Sequence, residues 1–249
     1  MNNQAALFQY LLQLGDTNLI IGHRLSEMCS RGPMLEEDIA LTNFALDHIG
    51  QAEVLLHFAG NVENNGRSED DLSYRRDAED FMNLKLVEQP NTDFAFVIGR
   101  QFLLDVYQCL LYQKLSKSTN DELAGMAARF LKESIYHQRH SAARIERLGQ
   151  GTNESLGRMQ HALNQLWPYT AEMFVDNPAW ANLIESGVVP SATELKKEWY
   201  ERVSKVLTLS GLNMPKASAE DDSLNQSIYL EQLLAEMQYL PRTYPDAKW

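Results

Sequence analysis

The chain has 249 residues, 44% of them hydrophobic, and a formal net charge of −12. That length suits one large domain or a core with an appendage, and that hydrophobic content can bury a sizeable interior. The charge excludes two classes of partner. No Lys/Arg-rich block offers a nucleic-acid footprint, and an anionic membrane surface repels a chain this acidic.

The pattern is helical nearly throughout. Residues 4–30 read as one long amphipathic helix, stopped by Arg31, Gly32 and Pro33. Its opening, MNNQAALFQYLLQLGD, lacks the basic stretch and small-residue cleavage site of a secretory signal. Residues 35–60 form a second helix, ending at Gly60. An acidic, Asn/Gly-rich connection follows, NVENNGRSEDDLSYRRDAED, with a short helix near 73–86. Residues 92–117 form the third long helix, capped by Asn91 or Thr92. Residues 120–149 form the fourth, capped by Thr119 or Asn120 and closing near Gly149. A fifth helix over 153–169 is checked by Pro168, and further helices fall at 178–187 and 191–210. The linker NMPKASAEDDS precedes an amphipathic piece from Gln226 to Leu240. The tail runs out through Pro241 and Pro245 to Trp249.

Strand-like alternation is nearly missing, so the predicted fold class is all-α. Helices one and two are joined by a short link, as are three and four, and a long crossover separates the pairs. That is the arrangement of a ferritin-like four-helix bundle. At about 1.5 Å per residue, such helices are about 38 Å long. The prediction is a single domain over 1–249, with a bundle core at 4–149 and a C-terminal helical extension at 150–249. No run of about 18 apolar residues is present, so no membrane-spanning helix is expected. Cys29 and Cys109 lie far apart and outside any CxxC, which speaks against a disulfide scaffold or a zinc site. The expected location is cytoplasmic.

One stretch invites a metal reading. In KESIYHQRH, Glu133 stands four residues before His137 and seven before His140. Positions three or four apart share a helix face. A di-iron bundle takes one Glu from each of two helices and a Glu-x-x-His from each of the other two. The inward stripes read differently. Helix one offers Leu12, Asp16, Leu19 and His23, and helix two Phe44, His48, Gln51, Leu55 and Phe58. Helix three offers Phe102, Asp105, Cys109 and Tyr112, and helix four Phe130, Ser134, His137 and Ser141. The Glu-x-x-His positions are therefore His48-x-x-Gln51 and Ser134-x-x-His137. Gln51 and Ser134 carry no charge, and Glu133 is four residues from His137 rather than three. Two metal ions would have too little negative charge around them. A buried polar cluster must be hydrogen-bonded to be tolerated. The expectation is a degenerate site in which Asp16, His48, Gln51, Asp105, Glu133 and His137 satisfy one another as a polar plug. Cys109 reads as a small core residue.

LGDTNLIIGHRLSEMC, LTNFALDHIGQAEVLL, FLKESIYHQRHS and LLAEMQYLPRTYPDAKW together resemble the PaaC family, over essentially the whole chain from Leu11 to Trp249. These are the C subunits of the multicomponent ring-1,2-phenylacetyl-CoA epoxidase of aerobic phenylacetate catabolism. The resemblance implies a ferritin-like structural subunit without a working metal site, supporting a ferritin-like catalytic A subunit. It implies no cofactor in this chain and a di-iron centre in that partner. Gln51 stands where a catalytic relative would show a histidine after the glycine. Other epoxidase subunits and copies of the chain itself are further candidate partners. Helices one, two and three are the candidate contact face, with Phe8, Tyr10, Tyr107 and Tyr112 as aromatic anchors. Two other readings compete: an independent ferritin-like di-iron oxidase or oxygenase, and a small-molecule module with a hollow bundle core.

Overall fold

A computed structural model describes residues 3–216, 228–245 and 247, with no strand among them. The helices run Asn3–Ser26 (α1), Leu35–Glu63 (α2), Glu69–Tyr74 (α3), Lys85–Glu88 (α4), Phe94–Leu115 (α5), Asp121–Gly149 (α6), Asn153–Leu166 (α7), Ala181–Glu185 (α8), Lys196–Leu209 (α9), Ile228–Met237 (α10) and Tyr239–Thr243 (α11). They fall into two compact units, one within Met1–Pro90 and Asp222–Trp249, the other within Asn91–Asp221. The C-terminal helices are shared between them: α7 to α9 belong to the second unit, α10 and α11 to the first.

The first unit is built on the α1–α2 hairpin. Two glycines on α1 let the helices approach closely. A Cβ on Gly15 would meet the Leu56 side chain at 2.6 Å, and one on Gly22 would meet Ile49 at 2.8 Å. The later residue on α1 faces the earlier one on α2, so the pair is antiparallel. α2 runs past Gly60 to Glu63 and closes on Asn64, whose φ of 59° is tolerated by asparagine. The crossover differs from the single short helix predicted at 73–86. A capping box between Ser68 and Asp71 starts α3 earlier, a 3-10 turn spans Ala78–Asp80, and α4 is separate. The chain breaks where Arg76 turns inward. The C-terminal helices hold this break: Gln238 Nε2 donates to the carbonyls of Ser73 (3.2 Å) and Arg76 (3.0 Å), and Arg242 donates to the carbonyl of Arg76 (2.7 Å). Pro241 lies within the first turn of α11 rather than in a tail, because a residue there needs no helical N–H partner. The predicted helix start at Gln226, the linker from 217 onward and the tail at 248–249 lie outside the described residues.

The second unit is built on the α5–α6 hairpin. α5 is capped by Asp93, whose side chain accepts from the Phe96 N–H at 2.8 Å, rather than by Asn91 or Thr92. α6 starts at Asn120 as predicted, and it buries one stripe: Leu123, Ala127, Phe130, Ser134, His137, Ser141, Ile145 and Gly149. α5, by contrast, is buried on nearly every side. By length and composition it could cross a membrane, contrary to the sequence expectation; 94% of its apolar window is buried within the protein, as in a core helix. Arg100, Gln101, Asp105 and Gln108 interrupt its apolar run, which is why the sequence hides it. α9 closes the unit, with the buried Trp199 indole donating to the Leu103 carbonyl at 3.0 Å.

Burial corrects the predicted anchors. Tyr10, Tyr107 and Tyr112 are buried, and so present no outward aromatic face. Tyr107 stacks edge-on against Phe174 and Tyr112 against Phe130. Phe8 is half-buried, with the Arg67 guanidinium 5.7 Å above its ring.

Candidate functional site

In the first unit the stripe residues Asp16, His48 and Gln51 are all buried. Asp16 does not rely on the other stripe residues. Both its carboxylate oxygens are engaged by the Arg76 guanidinium, Oδ2 at 3.0 Å, and Oδ2 also accepts from the Met82 N–H at 2.9 Å. Burial raises the Asp16 pKa, while the charge and hydrogen bonds of Arg76 and the Met82 N–H work against that rise. Arg76 is itself buried. It donates to the carbonyls of Leu72 and Asp80, and its guanidinium lies 4.3 Å from the centre of the Phe81 ring. His48 Nδ1 meets the Asn18 side-chain oxygen at 2.8 Å, and the Asn18 amide nitrogen donates to the Leu14 carbonyl at 2.9 Å. The amide is thus oriented with its oxygen toward the ring. That puts the His48 proton on Nδ1 and, in the neutral ring, the lone pair on Nε2.

In the second unit Asp105, Ser134, His137 and Ser141 are fully buried. The Asp105 carboxylate accepts from Gln101 Nε2 at 2.6 Å, one turn back on α5, and from Ser141 Oγ at 2.7 Å on α6. A ligand-type nitrogen of His137 lies within 4.8 Å of that carboxylate. Burial pushes the Asp105 pKa up to about 6, against the opposing pull of His137, Ser141 and Gln101. Burial and the nearby Asp105 push the Cys109 thiol up to about 12, so it stays protonated and is a poor ligand. Glu133 is only half-buried. It lies on the flank of α6 with Arg129 3.8 Å away, one turn back, outside the buried stripe.

A di-iron centre needs carboxylates free to bind and to offset the metal charge. The donor set present does not meet that need. Asp16 has both oxygens on a guanidinium, which also places a positive charge where a cation would sit. Gln51 and Ser134 are neutral, and Glu133 is turned to the flank. Asp105 is left as the buried carboxylate of the second unit's stripe, already accepting two hydrogen bonds. Asp16 and His48 find partners in Arg76 and Asn18, outside the predicted stripe, while Ser141 serves Asp105 within it.

Over residues 1–249 the chain matches the family described as phenylacetic acid catabolic protein. It belongs to that family. A curated relative, the C subunit of the 1,2-phenylacetyl-CoA epoxidase of Escherichia coli (strain K12), is 39% identical over 246 residues, covering 98% of this chain and 99% of the relative. The all-α, ferritin-like class predicted from the sequence is the class of the phenylacetic acid catabolic proteins.

For this family member the sequence shows the stripe, with the Ser141 that serves Asp105 on it, but not the other residues that answer it. Arg76, Asn18 and Gln101 are the partners of Asp16, His48 and Asp105, and none lies at a predicted stripe position. Asn18 and Gln101 carry a weak signal: each is a polar residue inside a long apolar helix. Arg76 carries none, since a basic residue in a polar connection looks solvated.

Proposed function

We propose that this chain is the C subunit of a bacterial phenylacetyl-CoA epoxidase and serves that complex as a non-catalytic scaffold. Its role is to hold a ferritin-like catalytic A subunit, in which the di-iron centre epoxidises the substrate ring with O₂. Other epoxidase subunits are further partners, and the place of work is the cytoplasm, with the CoA thioester. The full-length likeness to the Escherichia coli C subunit supports the identity of the complex. One observation carries the non-catalytic reading: the Arg76 guanidinium sits on the Asp16 carboxylate. With that guanidinium on both of its oxygens, the carboxylate stays committed.

The competing reading is an independent di-iron oxidase, and the proximity of buried Asp105 and His137 speaks for it. Anaerobic loading with Fe(II), then desalting and metal analysis, separates the two. The scaffold reading predicts no stoichiometric iron on the isolated chain. Two irons retained per chain, with an oxo-bridge absorption in air, would contradict it.

A further inference from the structure

Gly50, midway along α2, differs from the glycines of α1. A Cβ built on Gly15 or Gly22 runs into the first unit's own side chains, whereas one on Gly50 meets nothing within 4 Å. A glycine inside a helix destabilises it relative to alanine. Among the described residues nothing fills the space Gly50 leaves. Positions 35, 39, 46 and 50 are spaced by four, seven and four, so they share one face. On that face Leu35 is 70% exposed, Ile39 51% and Leu46 63%. The result is an uncovered apolar stripe ending in a notch that admits a close backbone approach.

The charge along α2 has one sign. α2 carries Glu36, Glu37, Asp38, Asp47, Glu53 and Glu63 and neither Lys nor Arg. Glu36 and Glu53 are exposed and Asp47 half-exposed along the stripe. A second copy of the chain is a poor occupant, because a two-fold contact would set these carboxylates against their own copies. We propose that this face of α2 docks an apolar helix flanked by Lys and Arg, with its closest approach at Gly50. The helix belongs to the catalytic A subunit, which rests on the functional reading above.

The test uses the full chain co-expressed with the epoxidase A subunit of the same source, comparing wild type, Gly50→Leu and Leu46→Glu. Each chain is also melted alone. Gly50→Leu fills open space with a better helix former, so the isolated chain should melt at or above the wild-type temperature. The same variant should capture at least about tenfold less A subunit. Leu46→Glu should lose capture as well. Capture of the A subunit at wild-type levels by both variants overturns the proposal. So does a Gly50→Leu chain that melts well below wild type, since the space would then belong to the chain's own packing. If the variants abolish only self-association of the isolated chain, the face pairs copies and the proposal is again wrong. A wild-type chain that captures no A subunit sinks the functional reading instead, and the proposed partner with it.

Discussion

Arg76→Met should cost the protein about 3–5 kcal/mol, read as a lower urea midpoint. The magnitude follows from what is left behind. Asp16 is fully buried, and without the guanidinium its carboxylate keeps the Met82 N–H and loses its counter-charge. Adding Asp16→Leu to Arg76→Met removes the stranded charge and should recover most of the loss, because replacing both members of a buried pair by apolar groups is often nearly neutral. The part not recovered belongs to the carbonyls of Leu72 and Asp80, which Arg76 also serves. A single variant losing under about 1 kcal/mol would show that the pair does not hold the crossover to α1.

Asp105→Asn should change how stability depends on pH. The Asp105 pKa is raised from 3.8 to about 6 in the folded protein. Between those values the folded state keeps a proton that the unfolded state has released. The contribution is therefore fully present below the unfolded value and is lost as pH rises through the folded one. A shift of about two units corresponds to about 3 kcal/mol at most. Other carboxylates act in the opposite sense. Hydrogen bonds from Arg67, His57 and Ser68 hold Glu63, Glu69 and Asp71 low, so their contribution is lost as pH falls. The informative quantity is the wild-type-minus-variant difference in urea melts from pH 4 to 7. Asparagine keeps one acceptor oxygen, for Gln101, and turns its amide nitrogen toward the Ser141 hydroxyl oxygen, but it cannot titrate. The difference should move in the variant's favour as pH rises, and a flat difference would show that Asp105 ionises freely where it sits.

Helical periodicity explains how much of the fold and the site is legible in sequence. On α6 the buried residues recur every three or four positions, and Phe130, Ser134, His137 and Ser141 fall on one face directly. α5 offers no such contrast, since it is buried on nearly all sides, and so Tyr107 and Tyr112 cannot be told from outward anchors. Cap positions are legible to within a residue or two, because Asn91, Thr92 and Asp93 are all competent caps and backbone geometry selects Asp93. The partners that lie off the stripe are the illegible part. Asp16 and Arg76 are separated by 60 residues, and only the broken crossover, with Gln238 and Arg242 on its carbonyls, brings them together. Local pattern carries no information about which polar loop reaches inward.

Phenylacetyl-CoA-dependent oxygen uptake by the assembled complex, with His48→Gln and His137→Gln combined in this chain, tests the scaffold reading most directly. Both rings are buried, and glutamine keeps their polarity at similar size. The predicted result is a complex that co-purifies normally and takes up oxygen at nearly the wild-type rate. A complex that assembles normally and loses turnover would place this chain in the chemistry and contradict a scaffold role.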